Sequence, residues 1–353
     1  MMARACMPPA PVSSFSRPRV LVLGGTGRVG ASTATALSEL RPDLNIVIGG
    51  RNREKGASLV SELGGRSEFI QVDIHNATRL EAVMEGVDLV VHAAGPFQRD
   101  DKCIVLQAAI SAKTGYIDVC DGVDYSWRAK SFHEQAKASG VPALTTAGIS
   151  PGVSNVMAAE LDVLQKDVIA YEKGREIKLN PYSGARNIDF GEGTGKKCVY
   201  LMNLPEVKSA HKILGVPTVG ARFGTDPFFW IWGMETFANF LPADLLRDKN
   251  VILKLTECVD PFIRVIDSIV GERVAMRIDL ECSNGHKTTG LFTHNNLSVS
   301  VGYGTAAFAL AILEGSTKPG VWFPEEPEGL AIEARKLLLQ RASRGVVNFS
   351  MNM

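Results

Sequence analysis

The chain has 353 residues, of which 45% are hydrophobic and 22% charged, and a chain of this length typically forms about two globular domains. Lys plus Arg and Asp plus Glu both number 38, so the formal net charge is zero, and without the basic excess that neutralises phosphates we expect no nucleic-acid partner. The six cysteines include no C-x-x-C pair and the histidines show no metal-ligand spacing, so we expect no bound metal.

Residues 1–18 are predicted to form a flexible tail or part of an organelle transit peptide. They contain Arg4 and Arg17 together with Ser and Pro, and no acidic residue precedes Glu39. No apolar core typical of a secretory signal is present, whereas acid-poor ends with Arg and Ser are typical of transit peptides. A chloroplast or other organelle is therefore one expected location, and the cytoplasm is the other.

Short apolar runs alternate with helical patterns between residues 19 and 150. Arg19–Gly24 and Asn45–Gly50 are typical of strands buried on both faces, and the helix between them ends before Pro42. Further strands are predicted at 68–72, 88–93, 116–119 and 141–145, and further helices at 55–63, 78–84, 103–112 and 132–139. This alternation predicts an α/β fold with a doubly wound parallel sheet, a Rossmann domain over residues 19–150.

A glycine loop joins the first strand to the first helix. In dinucleotide-binding loops of this spacing, the first glycine allows the tight turn, the second lets the backbone approach the pyrophosphate, and the third lets helix and strand pack closely. The diphosphate then lies at the positive end of the helix. The predicted cofactor contacts in this loop are Gly24, Thr26, Gly27, Arg28, Val29 and Gly30.

The end of the second strand indicates which cofactor binds. NAD sites usually carry Asp or Glu there to hold the ribose 2′-hydroxyl, and that carboxylate repels a 2′-phosphate. Here Gly49 and Gly50 are followed by Arg51, whose planar guanidinium suits phosphate oxygens. We therefore predict NADP(H) as the cofactor, bound by Arg51 with an added contribution from Arg28.

Later strand ends supply further candidates. Asp73 follows the third strand, where it can accept from the adenine amino group or cap a helix. Ala94 and Gly95 follow the fourth strand, and small residues there let a cofactor lie close to the sheet. Asp118 near the end of the fifth strand and Tyr125 beyond it are the predicted proton donors for hydride transfer. A structural role as a loop cap is the alternative for Asp118.

Residues 151–353 are predicted to form a second, α+β domain built on a mostly antiparallel sheet. Strands are predicted at 251–255, 273–282 and 287–294, with a hairpin turn at Asn284-Gly285. The apolar stretch Phe228–Leu246 contains Glu235 and Pro242, so we interpret it as core or interface rather than as a membrane helix. A lipid-facing surface is the alternative for this stretch.

Several motifs resemble the saccharopine-dehydrogenase-like family. They are His92–Phe97 (HAAGPF), Tyr116–Gly122 (YIDVCDG), Ala147–Gly152 (AGISPG) and Pro319–Pro324 (PGVWFP). The resemblance implies an NADP-binding Rossmann domain and a second domain for substrate and often dimerisation, so a homodimer is expected. It also implies a C-terminal helix that returns to the first domain, and Val301–Glu314 is the candidate.

The sequence departs from the family where saccharopine reductases carry an Asp and then an acid and a His, because Ser150, Ser154 and Asn155 occupy these places. We therefore predict an NADP(H)-dependent oxidoreductase that acts on a small carbonyl, imine or amino-acid-like substrate, without assigning saccharopine. The alternative is a catalytically silent NADP(H)-binding sensor or a lipid- or partner-binding protein, because a fold alone does not establish a function.

Overall fold

The computed structural model describes residues 17–95, 97, 100–163, 184–202, 204–216, 218–224, 271–281 and 286–352. The predicted transit peptide, the apolar stretch 228–246, the strand 251–255 and the hairpin turn at 284–285 lie outside these ranges. Within the described ranges, no helix is both long enough and apolar enough to cross a membrane.

The described strands and helices are numbered in chain order. They are β1 (Arg19–Leu23), α1 (Arg28–Leu40), β2 (Asn45–Gly50), α2 (Arg53–Leu63), β3 (Ser67–Gln71), α3 (Ala77–Met84), β4 (Leu89–His92), α4 (Ile104–Ser111), β5 (Gly115–Asp118), α5 (Val123–Lys130), α6 (His133–Ala138), β6 (Pro142–Leu144), α7 (Val153–Val163), β7 (Arg186–Asp189), β8 (Lys196–Met202), α8 (Pro205–Leu214), β9 (Ala221–Phe223), β10 (Val274–Glu281), β11 (Lys287–His294), α9 (Leu297–Leu313), β12 (Gly320–Trp322), α10 (Ile332–Ala342) and β13 (Asn348–Asn352).

A seven-stranded parallel sheet forms the centre of the molecule, in the order β12-β6-β5-β4-β1-β2-β3. The interior strand β1 pairs with β2 and β4, so that Val22 lies between Ile48 and Val91. All three side chains are fully buried, because helices cover both faces of a sheet of this kind. The predicted α/β fold with a doubly wound parallel sheet is therefore confirmed.

The last strand of this sheet was not expected from the sequence. β12 pairs with β6, and the His133 ring on α6 lies 3.1 Å from the carbonyl oxygen of Val321 in β12. The predicted division of the chain at residue 150 leaves out this strand. The run Gly320–Trp322 lies between Pro319 and Pro324 and is too short to show a period of its own.

Antiparallel strands make up the second part of the fold. β10 pairs with β11 over eight residues, and β13 adds to β11 in the order β10-β11-β13. A further sheet has the order β7-β8-β9. The expectation of a mostly antiparallel second sheet is confirmed, although β13 and the β7-β8-β9 sheet were not predicted.

Helix α9 packs closely against α1. It begins at Leu297, four residues before the predicted start, because Asn296 caps it by accepting a hydrogen bond from the Val299 amide at 3.0 Å. A Cβ atom on Gly302 would lie 2.7 Å from the backbone oxygen of Ser32 in α1. The two helix backbones therefore approach each other at a glycine, and α9 is fixed beside the glycine loop.

We predict that Gly302→Ala destabilises the protein by about 1–3 kcal/mol, because the added methyl group forces α1 and α9 apart, despite a helix-propensity gain of about 1 kcal/mol. Urea unfolding followed by circular dichroism measures the change. Gly65→Ala is the control, since a Cβ there meets no atom within 4 Å. Equal free energies of unfolding for Gly302→Ala and wild type would contradict the close approach.

Candidate functional site

The predicted cofactor and proton-donor positions meet along one edge of the parallel sheet. The carboxyl ends of parallel strands share an edge, and ligands of such folds bind in the crevice outside it. From β3 to β5 this edge carries, in order, Asp73, Arg51, the loop Gly24–Gly30, Ala94–Gly95 and Asp118. The carboxyl ends of β6 and β12 continue the same edge beyond Asp118.

The glycine loop is compact because its glycines contact backbone directly. Gly24 has a φ of +75°, and a Cβ on it would lie 2.6 Å from the carbonyl oxygen of Ala93. A Cβ on Gly30 would lie 2.3 Å from the carbonyl oxygen of Gly24. Larger residues at either position would separate β1, β4 and α1, so these two glycines are required for the shape of the loop.

The amino end of α1 faces outward from this loop. Gly27 is the capping residue and supplies no side-chain cap, and the first turn of the helix contains no acidic residue. Amide groups in a first helical turn lack acceptors within the helix, and the helix dipole favours an anion there. Gly27 is exposed, while Thr26 and Val29 are half-buried. These residues fit the diphosphate of a dinucleotide.

Arg28 pairs with an acidic residue from the second part of the chain. Its guanidinium lies 2.5 Å from Glu272, which also accepts a hydrogen bond from the Ser298 hydroxyl at 2.9 Å. Burial opposes the ionisation of Glu272, but the Ser298 hydrogen bonds and the charge of Arg28 outweigh it and lower the pKa of this carboxyl. The ion pair joins the glycine loop to the start of α9, and a phosphate contact from Arg28 stays a prediction.

The end of β2 presents Arg51 to solvent with no carboxylate beside it on the strand. Gly49 and Gly50 are buried and Arg51 is exposed. The backbone carbonyl of Arg51 accepts a hydrogen bond from Gln71 at 3.2 Å, which fixes the backbone. Its guanidinium makes no ion pair with any residue in the described ranges. The side chain can therefore meet a 2′-phosphate placed at this strand end.

Asp73, which follows β3, and Ala94, which follows β4, both take part in local turns. The Asp73 carboxylate accepts from the His75 amide at 3.0 Å, which is a turn-capping contact. The Ala94 amide donates to the His92 ring at 3.4 Å. Burial lowers the pKa of His92 to about 3, so this ring is neutral at physiological pH. Ala94 is half-buried and Gly95 exposed, and their cofactor contacts stay predictions, as does that of Asp73.

Asp118 is completely buried and accepts four hydrogen bonds. One carboxylate oxygen accepts from the Cys120 amide at 3.0 Å, the Thr146 amide at 2.9 Å and the Thr145 hydroxyl at 3.1 Å. The other oxygen accepts from the Tyr116 hydroxyl at 3.0 Å. Burial raises the pKa of Asp118 to about 6, although each of these bonds favours the ionised form.

These contacts hold the loop after β6 in a strained conformation. Thr146 has a φ of +61°, which is costly for a β-branched residue. Besides the side-chain bonds, the Ala147 amide donates to the backbone carbonyl of Asp118 at 2.7 Å. Asp118 therefore joins the loop after β6 to the end of β5.

The second predicted proton donor, Tyr125, belongs to the same buried network. Its hydroxyl lies 3.0 Å from that of Tyr116, which in turn contacts Asp118. Burial is the main cause that raises the pKa of Tyr125 well above its usual value, and Phe97 stacks edge-on at 5.1 Å. The structure thus brings Asp118 and Tyr125 together, and their direct part in catalysis stays a prediction.

A polar cluster at the ends of β6 and β12 was not identified from the sequence. It contains Glu206 and Ser209 of α8, Asn155 of α7 and Glu325 in the loop after β12. The only sequence signal was that Ser150, Ser154 and Asn155 depart from the family pattern. Glu206 and Glu325 lie far from Asn155 along the chain, so no local motif joins them. We refer to these four residues as the Glu206–Glu325 cluster.

Within the part of the chain that the structure describes, no group of three or more His, Cys, Asp or Glu side chains is arranged to hold a metal ion. Cys103 and Cys120 are buried, and burial is the main cause that raises the pKa of the Cys103 thiol to about 12. A buried thiol of this kind is a poor nucleophile.

We predict that Gly27→Leu abolishes NADPH binding while the fold is kept. A Cβ at this position meets only the Gly24 carbonyl oxygen, at 3.2 Å, so the larger side chain extends into the space of the diphosphate. Fluorescence titration with NADPH measures the loss, and Gly65→Leu serves as the control. A folded Gly27→Leu variant that binds NADPH as wild type does would remove the cofactor site from this loop.

We also predict that Asp118→Asn makes the protein less sensitive to pH. The folded-state pKa of Asp118, about 6, is above the usual 3.8. The wild-type carboxyl therefore stabilises the folded state below pH 4, and this stabilisation is lost as the pH rises through 6. Asn keeps the acceptor oxygen. The difference in unfolding free energy, variant minus wild type, should rise by up to about 3 kcal/mol between pH 4 and pH 7.

Urea unfolding at both pH values tests this prediction. Because Glu325 and the other titrating groups are the same in both proteins, their contributions cancel in the difference. A difference that is independent of pH, or that falls as the pH rises, would contradict the raised pKa.

Comparison with known proteins agrees with this geometry. Residues 20–144 match the family model described as the saccharopine dehydrogenase NADP binding domain. A curated relative, carboxynorspermidine synthase of Vibrio cholerae serotype O1, is 25% identical over a segment that covers 44% of this chain and 44% of the relative. The chain thus matches less than half the length of that relative.

The fold likeness extends over almost the whole chain. The apo, histidine-tagged saccharopine dehydrogenase (L-Glu forming) from Saccharomyces cerevisiae superimposes with a TM-score of 0.63 at 14% identity, covering 95% of this chain and 100% of that one. The resemblance seen in the motifs is therefore confirmed, and NADP is the cofactor of the matched domain. Residues 20–144 thus match the saccharopine dehydrogenase NADP-binding domain, and the chain as a whole is similar in fold to the yeast saccharopine dehydrogenase.

Proposed function

We propose that the protein is an NADP(H)-dependent oxidoreductase that transfers a hydride to or from a small carbonyl, imine or amino-acid-like substrate. The observation that carries this proposal is the arrangement along one sheet edge. An uncapped helix end follows the glycine loop, Arg51 stands at the neighbouring strand end, and no carboxylate is present on β2. This combination fits a dinucleotide with a 2′-phosphate.

The strand order supports one direction for the cofactor along this edge. Arg51 and Asp73 mark the adenosine end at β2 and β3, and the glycine loop marks the diphosphate at β1. The nicotinamide end then extends across Ala94 and Gly95 towards β5 and β6. A substrate that meets the nicotinamide lies between that point and the ends of β6 and β12.

The cofactor supplies the hydride when it is bound, and the protein's part is to bind, orient and exclude water. The small residues Ala94 and Gly95 leave room beside the sheet. The buried network of Asp118, Tyr116 and Tyr125 holds the β5 and β6 loops in register below this space. Rigid loops at this place are what a positioning mechanism requires.

A substrate screen tests the proposed activity. NADPH absorbance is followed with small carbonyl compounds alone and together with amino acids or diamines, and the reverse reaction is followed with NADP⁺ and secondary amines such as saccharopine. Saturable turnover with any of these supports the oxidoreductase, and the Gly27→Leu variant should abolish it. Tight NADPH binding without turnover in any class would reject it.

A catalytically silent NADP(H) sensor is the second candidate, favoured by one observation. Both carboxylate oxygens of Asp118 accept hydrogen bonds from the protein, and Tyr125 is buried, so neither predicted proton donor faces solvent. A sensor would change its protease sensitivity when NADPH binds and would show no turnover, which separates the two candidates.

Arg51→Ala should weaken NADPH binding by about 10- to 150-fold, because the loss of a charge-assisted hydrogen bond costs about 1.5–3 kcal/mol. NADH, which lacks the 2′-phosphate, should bind the variant and wild type equally. Fluorescence titrations at one fixed salt concentration measure all four dissociation constants, since salt screens exposed charges.

Arg53→Ala is the matched control for this substitution, because Arg53 is also exposed and begins α2 two residues later. Arg53→Ala should change the affinities for NADPH and for NADH little. If wild type binds NADH as tightly as NADPH, or if Arg51→Ala weakens both cofactors equally, Arg51 does not recognise the 2′-phosphate.

A further inference from the structure

The Glu206–Glu325 cluster joins three separate segments of the chain. The Asn155 side-chain amide donates to the Ser209 hydroxyl oxygen at 3.2 Å and to Glu325 at 3.0 Å. The Asn155 side-chain oxygen accepts from the Gly152 amide at 3.0 Å. Asn155 is therefore fixed by the loop before α7, and it holds Glu325 of the β12 loop against Ser209 of α8.

Glu206 lies one helical turn before Ser209 on α8. One of its carboxylate oxygens accepts from the Ser150 hydroxyl at 3.0 Å, and its backbone carbonyl lies 3.4 Å from the Ser209 hydroxyl. Ser150 is exposed and Glu325 is completely buried. The cluster thus extends from the surface at Ser150 to the interior at Glu325.

Each carboxylate in this cluster has one buried oxygen without a hydrogen-bond partner among the residues that the structure describes. In Glu325 this atom is Oε1, and in Glu206 it is Oε2. Buried polar atoms in folded proteins nearly always have a partner, and a buried carboxylate oxygen without one is costly. An oxygen of this kind on each of the two carboxylates of the cluster indicates a place for a donor that carries positive charge.

Nearby cationic side chains make other contacts. Lys130 binds the adjacent Glu326 at 2.5 and 2.8 Å and lies 4.5 Å from the centre of the Trp322 ring. Arg335 donates to the backbone carbonyl of Glu325 at 2.8 Å. Burial raises the pKa of Glu325 to about 6 and also raises that of Glu206, so the surrounding protein does not favour two carboxylates at this place.

The position of the cluster points to the ligand. Asn155 and Ser150 follow β6, and Glu325 follows β12, so the cluster occupies the sheet edge beyond the nicotinamide end of the proposed cofactor site. A divalent metal would need more ligands than two carboxylates, and the described residues contain no such group. A primary ammonium has three donors and a single charge, which suits two carboxylate oxygens and a hydroxyl.

We propose that Glu206 and Glu325, held by Asn155 and Ser209, bind a small cationic group, either the ammonium group of an amine-bearing substrate or a free monovalent cation. In the first form the inference rests on the proposed oxidoreductase function, and it names an amine as the substrate class. In the second form the cation is structural. The binding chemistry of the carboxylates is the same in both.

Thermal unfolding of the NADPH-loaded protein tests the site. Methylammonium chloride, potassium chloride and choline chloride are compared at equal ionic strength. Methylammonium should raise the melting temperature of wild type in a saturable way, whereas choline, which has no N–H donor, should not. Glu206→Gln and Glu325→Gln should each weaken this effect by about 10-fold or more, since each removes a charged acceptor.

Glu333→Gln is the matched control, because Glu333 is exposed on α10, and it should respond to methylammonium as wild type does. Circular dichroism and NADPH affinity show whether each variant is folded, and if Glu325→Gln does not fold, Glu206→Gln decides. A rise in melting temperature with methylammonium that potassium does not reproduce supports binding of the ammonium group of an amine-bearing substrate. An equal effect of both cations supports the free cation.

The absence of a saturable cation effect in wild type would overturn the proposal, as would an unchanged effect in the folded Gln variants. Failure of the proposed function has a different signature. In that case methylammonium still stabilises wild type and the Gln variants still lose the effect, but no amine-bearing compound is turned over with NADP(H).

Discussion

The close approach of three backbone segments at the carboxyl end of β1 determines the rest of this structure. A Cβ on Gly24 would overlap the Ala93 carbonyl, and a Cβ on Gly30 would overlap the Gly24 carbonyl. Because both positions are glycine, β1, β4 and α1 meet without a gap and the amino end of α1 faces the shared edge of the sheet. Helix α9 then packs on α1 through Gly302, so the far end of the chain is fixed to the same place.

This edge has two halves with different chemistry. The half at β2 and β3 is exposed and carries Arg51, which suits an anionic ligand. The half at β5, β6 and β12 is largely buried and holds Asp118 and Glu325, each with a pKa of about 6 because of burial. In the proposed function, a dinucleotide laid across β1 joins the two halves, with its 2′-phosphate beside the first and its nicotinamide beside the second.

The sequence predicts the strands and the glycine loop of this edge but not the contacts of its second half, for physical reasons. The strands β1, β2 and β4 are buried on both faces and show continuous apolar runs, and the glycine loop has a fixed spacing. By contrast, β12 has only three residues, and the partners in the Glu206–Glu325 cluster come from segments that meet only in the folded chain. Asp118 was identified from its position, but two of its four hydrogen bonds come from the β6 loop, which no local pattern reveals.

A crystal structure of the protein with NADP⁺ would show directly how the cofactor lies along this edge of the sheet. We expect the diphosphate at the amino end of α1, the 2′-phosphate within about 3 Å of the Arg51 guanidinium, and the nicotinamide beyond Ala94 and Gly95 on the side of β5 and β6. A dinucleotide bound in the opposite direction, with its adenosine towards β6, would contradict the account. So would a 2′-phosphate that lies away from the end of β2.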